Sequence, residues 1–113
     1  MMEKIYSPWG WYENLKDDDG YKVKRLYIQP TQKISLQYHR QREEHWVVVC
    51  GNGELELNEK TKNIKVGDYI FVSTLSKHRI TGGNNGIMII EVQLGEKCIE
   101  EDIVRIEDSY GRI

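Results

Sequence analysis

The sequence predicts an all-β chain, an antiparallel sandwich or barrel, on three observations. Short runs rich in Val, Ile and Tyr recur at 21–28, 33–39, 43–50, 54–58, 63–66, 68–72, 78–81 and 87–94. Turn-forming clusters separate them: Asp17-Asp18-Asp19-Gly20, Gln29-Pro30, Gly51-Asn52-Gly53, the 58–63 stretch and Gly82-Gly83-Asn84-Asn85-Gly86. No segment keeps a helical apolar period for three turns, and only 96–102 is compatible with a short helix. Short, evenly spaced strands joined by hairpin-type turns build antiparallel sheets that close on themselves.

Taken in order, the 21–28 run follows an acidic turn in which Gly20 supplies the unusual backbone angle. The 33–39 run starts beyond Pro30 and ends in Gln37-Tyr38-His39. The 43–50 run carries Trp46-Val47-Val48-Val49 and is expected to close at the Gly51–Gly53 turn. The 54–58 run alternates Glu and Leu, and Gly67 divides 63–66 from 68–72. The 78–81 and 87–94 runs flank a glycine-rich turn. The chain has no internal repeat and no linker.

At 113 residues the chain has room for one domain, 1–113. Sixteen basic and 18 acidic residues give a formal charge of −2, so no broad basic face exists for nucleic acid and no polybasic patch for a membrane. The longest apolar runs, 46–50 and 87–90, are too short to span a bilayer, and the N-terminus lacks the features of a secretory signal. The two cysteines, Cys50 and Cys98, have no metal-ligand spacing and are expected to be reduced thiols. The expected setting is cytoplasmic.

The chemistry concentrates around two of the three histidines. Gln37 and His39 are two apart on one strand, so they project from one face. Glu44 opens the next strand after four residues, and a tight turn can set it beside them. His78 follows Gly67 by eleven residues. Two imidazoles, a carboxylate and an amide oxygen make a mixed nitrogen–oxygen site for one divalent ion. Zn²⁺ is the first choice, with Mn²⁺, Fe²⁺, Co²⁺ or Ni²⁺ also compatible.

These residues resemble the two cupin motifs, G-x5-H-x-H-x4-E-x6-G and G-x5-P-x-G-x2-H-x3-N, whose spacing is kept from Thr31 to Gly51 and from Gly67 to Gly82. Thr31 and Gln37 replace the first Gly and His, and Ser73, Leu75 and Gly82 replace the Pro, Gly and Asn. A narrower resemblance is carried by Leu36-Gln37-Tyr38-His39, by Arg42-Glu43-Glu44-His45-Trp46-Val47-Val48-Val49 and by Lys77-His78-Arg79. The opening Pro8–Tyr12 and 21–25 segments and the closing Asp102–Arg112 segment carry it as well. All are similar to the isomerase domain of type II phosphomannose isomerases, in which Gln already holds the first ligand position. Arg40 and Gln41 stand where that family usually has histidines.

The resemblance implies a double-stranded antiparallel β-helix, the cupin or jelly-roll barrel, with metal on Gln37, His39, Glu44 and His78. It also implies a metal-dependent interconversion of mannose 6-phosphate and fructose 6-phosphate through an enediolate. Arg42 is the leading candidate for gripping the substrate phosphate and a candidate catalytic residue, and His45 has the chemistry of a base, although strand alternation turns it from the metal. Lys24, Arg25, Lys77 and Arg79 are the further candidates for binding the phosphate. The small-molecule partner is then a sugar phosphate. A homodimer is expected through the apolar Val47 and Val49 that alternation turns outward. A nucleotide-sugar epimerase or ketoisomerase working by a His–Tyr pair, and a non-enzymatic sugar-binding cupin, stand as alternatives. The closing segment, highly charged, is expected to fold back over the barrel or onto a partner.

Overall fold

The computed structural model of the protein describes residues 3–113, which form nine strands: β1 (Ile5–Ser7), β2 (Gly10–Asp18), β3 (Tyr21–Ile28), β4 (Leu36–Tyr38), β5 (Arg42–Leu57), β6 (Lys60–Lys65), β7 (Tyr69–Val72), β8 (His78–Gly95) and β9 (Val104–Glu107). All pairings are antiparallel. None of the described residues forms a helix long and apolar enough to cross a membrane.

β5 and β8 form the spine. The second half of β8 pairs with β3 on one side and with 42–51 of β5 on the other. Its first half pairs with 53–57 of β5, in the register Leu57↔His78 to Gly53↔Gly82. β7 and β6 flank the two halves of β5, while β4 touches β8 at Gln37↔His78 and carries β9 on its other edge. The sheet therefore curls on itself, and the antiparallel all-β expectation holds.

Two expected turns are strand instead. Gly51–Gly53 and Gly82–Gly86 lie inside β5 and β8, with register shifts at 48/50 and 51/53. Gly51 (φ +73) and Gly86 (φ +73) face each other so closely that a Cβ on Gly51 would stand 2.1 Å from the Gly86 carbonyl oxygen. Glycine here permits a bulge and a close backbone approach at which both strands bend. The 96–102 segment is not a helix but a turn-rich loop. β1, most of β2 and β9 went unrecognised as strands, and only Leu36–Tyr38 of the 33–39 run is strand, with an isolated bridge at Lys33. The closing segment does fold back: β9 pairs with β4.

Alternation sets the interior. β3 turns Lys22, Lys24, Leu26 and Ile28 inward, β5 turns Arg42, Glu44, Trp46 and Val48, and β8 turns Gln93, Glu91, Ile89 and Ile87. Each inner face is thus polar at one end and apolar at the other. The apolar end, with Ile34, Leu55, Ile64, Ile70, Val72 and Ile80, is the core. Each such side chain, fully buried, stabilises the fold by about 1.5–3 kcal/mol. Buried charge is tolerated only where it is paired or used, so the polar end marks the site.

A candidate metal centre at the polar end

His39 follows β4, Glu44 sits near the start of β5 and His78 opens β8. All three are buried, and one donor atom from each lies within 4.8 Å of the others. Glu44 is the centre of the group, with Oε2 3.3 Å from His39 Nε2 and Oε1 4.0 Å from His78 Nε2. Both imidazoles are fixed from behind. His39 Nδ1 donates to the Asp102 carbonyl and His78 Nδ1 donates to the Ser76 carbonyl at 2.9 Å. Each ring therefore turns Nε2 toward Glu44, the nitrogen left to bind metal when Nδ1 carries the proton. Burial, aided by the positive field of Arg42 and by His78, lowers the His39 pKa to about 4, so the ring is neutral at pH 7.

Glu44 is held as firmly. Arg42 Nε donates to Oε2 at 2.9 Å and Trp46 Nε1 donates to Oε1 at 3.0 Å. Gln37 lines the same cavity and pairs with His78 across the strands. Two imidazoles turned by Nε2 toward an oriented carboxylate are a donor set that fits a divalent cation. The turn that carries His78 also reaches this centre, since the Leu75 amide donates to the His39 carbonyl at 2.9 Å. Thr31 (φ +63) and Leu75 (φ +70), the two residues replacing motif glycines, keep the left-handed backbone that glycine adopts most easily. The loop shape survives the substitutions.

The cavity has a volume of about 230 Å³. That is below the roughly 300–1,000 Å³ of pockets for drug-sized ligands and suits a molecule of monosaccharide size. Lys24 and Arg42 both line it. Arg42 is more engaged than its candidacy implied, because Nη1 donates to the Ile99 carbonyl at 2.9 Å while Nε holds Glu44. Lys24 Nζ bonds Glu100 at 3.2 Å and lies over the Tyr12 ring. Burial pushes the Glu100 carboxyl up, but Lys24 and Lys22 together pull it below its ordinary value.

Four candidates lie elsewhere. His45 is on the outer face of β5, between Tyr69 and Phe71, with its ring nitrogens bonded to Tyr69 Oη and Glu43 Oε2. Arg25 points outward to Glu13 and Trp11. Lys77 is exposed beside the Asn58 turn. Arg79 is buried, but its guanidinium holds the Ile34 carbonyl and Glu107, tying β9 to the barrel. His45, Arg25 and Arg79 fail for one reason, since each neighbours an inward strand residue and alternation turns it from the cavity, whereas Lys77 lies in the loop before β8. The sequence reading also missed Glu91, Arg105 and Arg112, which line the cavity. Strand parity marks Glu91 once Ile87 and Ile89 are taken as core, whereas Arg105 and Arg112 depend on the fold-back of the closing segment. Arg105 forms no ion pair among the described residues, and its Nε is buried without a hydrogen-bond partner.

The curled antiparallel barrel with its His–Glu–His group at one end defines a cupin-type protein. The chain belongs to the family described as mannose-6-phosphate isomerase C-terminal, whose profile matches residues 1–108. It is 35% identical over its whole length to mannose-1-phosphate guanylyltransferase ManC of Salmonella typhimurium, covering 24% of that protein. It is 36% identical, over 96% of its length, to the alginate biosynthesis protein AlgA of Pseudomonas aeruginosa, covering 23% of it. The chain thus spans about a quarter of the length of the curated relatives it matches. Among solved structures it resembles oxalate decarboxylase of Bacillus subtilis (TM-score 0.84, 11% identity, 93% of this chain and 30% of that one). It also resembles KdgF from Halomonas (TM-score 0.78, 12% identity, 84% and 89%). These two likenesses are of fold.

Proposed function

We propose that the protein is a metal-dependent aldose–ketose isomerase that interconverts mannose 6-phosphate and fructose 6-phosphate. One observation supports this reading above the others: a single small cavity contains the His39–Glu44–His78 donor group and, with it, the unpaired guanidinium of Arg105. The membership of the family agrees with it. Gln37, His39, Glu44 and His78 would hold the ion, Zn²⁺ by preference, and a bound divalent cation supplies an electrophile beside the sugar carbonyl.

The remaining work falls to side chains of the chain itself. Arg105 grips the phosphate, assisted by Arg112, which Asp108 holds at 2.8 Å through both Nε and Nη2. Lys24 also lines the cavity, ion-paired with Glu100. Arg42 positions Glu44. Trp9, Leu26 and Ile89 exclude water from the sugar. The His–Tyr pair that the epimerase alternative requires exists as His45–Tyr69, but on the outer face. The compartment this reading expects is the cytoplasm.

The test compares mannose 6-phosphate with mannose, and wild type with Arg105→Ala, in the presence of each divalent ion. The phosphate ester should be turned over and the free sugar should not. Arg105→Ala should raise KM about tenfold or more with a smaller change in kcat, as expected for a group that grips ground and transition states alike. Equal turnover of phosphorylated and free sugar, or no turnover of either, would reject the assignment.

A further inference from the structure

An isomerase must carry a proton between two adjacent carbons, and neither His45 nor any metal donor is placed to do so. The cavity contains three carboxylates, and two of them are engaged. Glu44 is held between the imidazoles, Arg42 and Trp46, and Glu100 is paired with Lys22 and Lys24. Glu91 is different. It stands on β8 opposite Trp46 of β5 and Lys24 of β3, is only 6% exposed, and lines the cavity. It forms no ion pair among the described residues. Its hydrogen bond comes from Gln93 Nε2, 2.6 Å from Oε2, which leaves Oε1 without a protein partner.

Gln93 suits this task. It is fully buried, and its Oε1 has no hydrogen-bond partner. A carboxamide can serve both protonation states of its neighbour: Nε2 donates to the carboxylate, and after a half-turn Oε1 accepts from the carboxylic acid. A buried carboxylate oriented by a neutral amide, with Lys24 and Arg42 near but neither ion-paired to it, is arranged to gain and lose a proton.

We propose that Glu91 is the catalytic residue that transfers the proton between C2 and C1 of the sugar phosphate, an inference that rests on the isomerase reading above. Glu91 takes the proton from C2 of the open-chain aldose. The C–H electron pair becomes the C1–C2 double bond, and the carbonyl π pair moves onto O1. The protonated Glu91 then returns its proton to C1, the O2 hydroxyl proton passes to O1, and the O2 electron pair closes the ketone at C2. Atoms and charge balance with no further reactant. Burial, and then the charge of Glu44, raise the pKa of Glu91, which moves its proton affinity toward that of a base that must also act as an acid. The largest of these causes, burial, is independent of any metal.

The experiment is Glu91→Gln in the full chain, assayed with mannose 6-phosphate and added divalent ion. Metal content, thermal unfolding and calorimetric binding of fructose 6-phosphate are measured beside it. The expected result is a fall in kcat of about 10²–10⁴-fold, the range for a general acid–base group, with metal content and fructose 6-phosphate affinity within a few-fold of wild type. Glu91→Asp, which keeps the carboxylate but shortens its reach, should recover part of the loss. Gln93→Leu should lower kcat with little change in KM. An active Glu91→Gln enzyme, or one that has lost metal or sugar binding, overturns the proton-transfer role while leaving the isomerase reading in place. A wild-type protein with no turnover under any ion overturns both.

Discussion

The Nδ1–H of His39 donates to the backbone carbonyl of Asp102, 63 residues further along the chain. The Asp102 side chain completes the tie, its two carboxylate oxygens accepting the Arg40 and Gln41 amides at 2.9 Å each. One acidic residue of the closing segment therefore fixes both the turn after β4 and the tautomer of His39, a candidate metal donor. Asp102→Ala should leave two amides without acceptors and cost about 2–3 kcal/mol of stability. It should also weaken metal binding about tenfold by loosening His39. Denaturant unfolding and a competitive chelator titration read the two effects separately.

The neutral His39 ring has a consequence for pH. Its pKa is 6.5 when unperturbed and about 4 in the fold, so between those values the unfolded chain binds more protons than the folded one. Stability is then complete above about pH 6.5 and falls as pH drops toward 4, by roughly 3 kcal/mol in total. The prediction applies to chelated protein, where no metal competes with the proton. Unfolding midpoints of the EDTA-treated protein between pH 4 and 8 should follow this direction and should flatten in His39→Gln.

The left-handed backbone at Leu75 (φ +70) imposes strain that glycine does not feel, and the side chain is 57% exposed, so little burial is lost on removing it. A non-glycine residue in this conformation costs about 1–2 kcal/mol, and the extra unfolded-state freedom of glycine takes back about half. Leu75→Gly should therefore raise stability by about 0.5–1 kcal/mol, read as a shift in denaturant midpoint without a change in slope.

How far the sequence was readable depends on which kind of signal a residue carried. The meeting of His39, Glu44 and His78 was legible because strand parity and motif spacing are local, and Gln37 lines the same cavity. The glycine clusters misled, because glycine marks a close backbone approach as readily as a turn, and at Gly51 and Gly86 the approach prevails. Alternation was available for the phosphate candidates too. Applied strictly from Ile80 and His78 it turns Arg79 outward, and from Leu26 and Lys24 it turns Arg25 outward. Arg105 could not be found this way, because its place in the cavity follows from β9 pairing with β4, a contact between segments some seventy residues apart.

The outer face bears on assembly. Val47, Val49, Tyr69 and Phe71 are exposed large apolar side chains on the neighbouring strands β5 and β7, and Leu94 is exposed on β8 opposite Glu43. Adjacent exposed apolar residues on a sheet face are the usual substance of a self-complementary contact. The expected outcome is a homodimer at micromolar concentration in sedimentation velocity, converted to monomer by Phe71→Glu. A monomer for the wild type would contradict it.

Chelation and restoration of isomerase turnover is the decisive measurement, following mannose 6-phosphate and fructose 6-phosphate by NMR in wild type and His78→Ala. Wild-type protein stripped with EDTA should lose turnover and regain it on addition of one equivalent of a divalent ion. His78→Ala, lacking one of two imidazole donors, should stay inactive at that stoichiometry. Turnover that survives complete removal of metal, or no turnover with Zn²⁺, Mn²⁺, Fe²⁺, Co²⁺ or Ni²⁺, would contradict a metal-dependent isomerase centre at His39, Glu44 and His78.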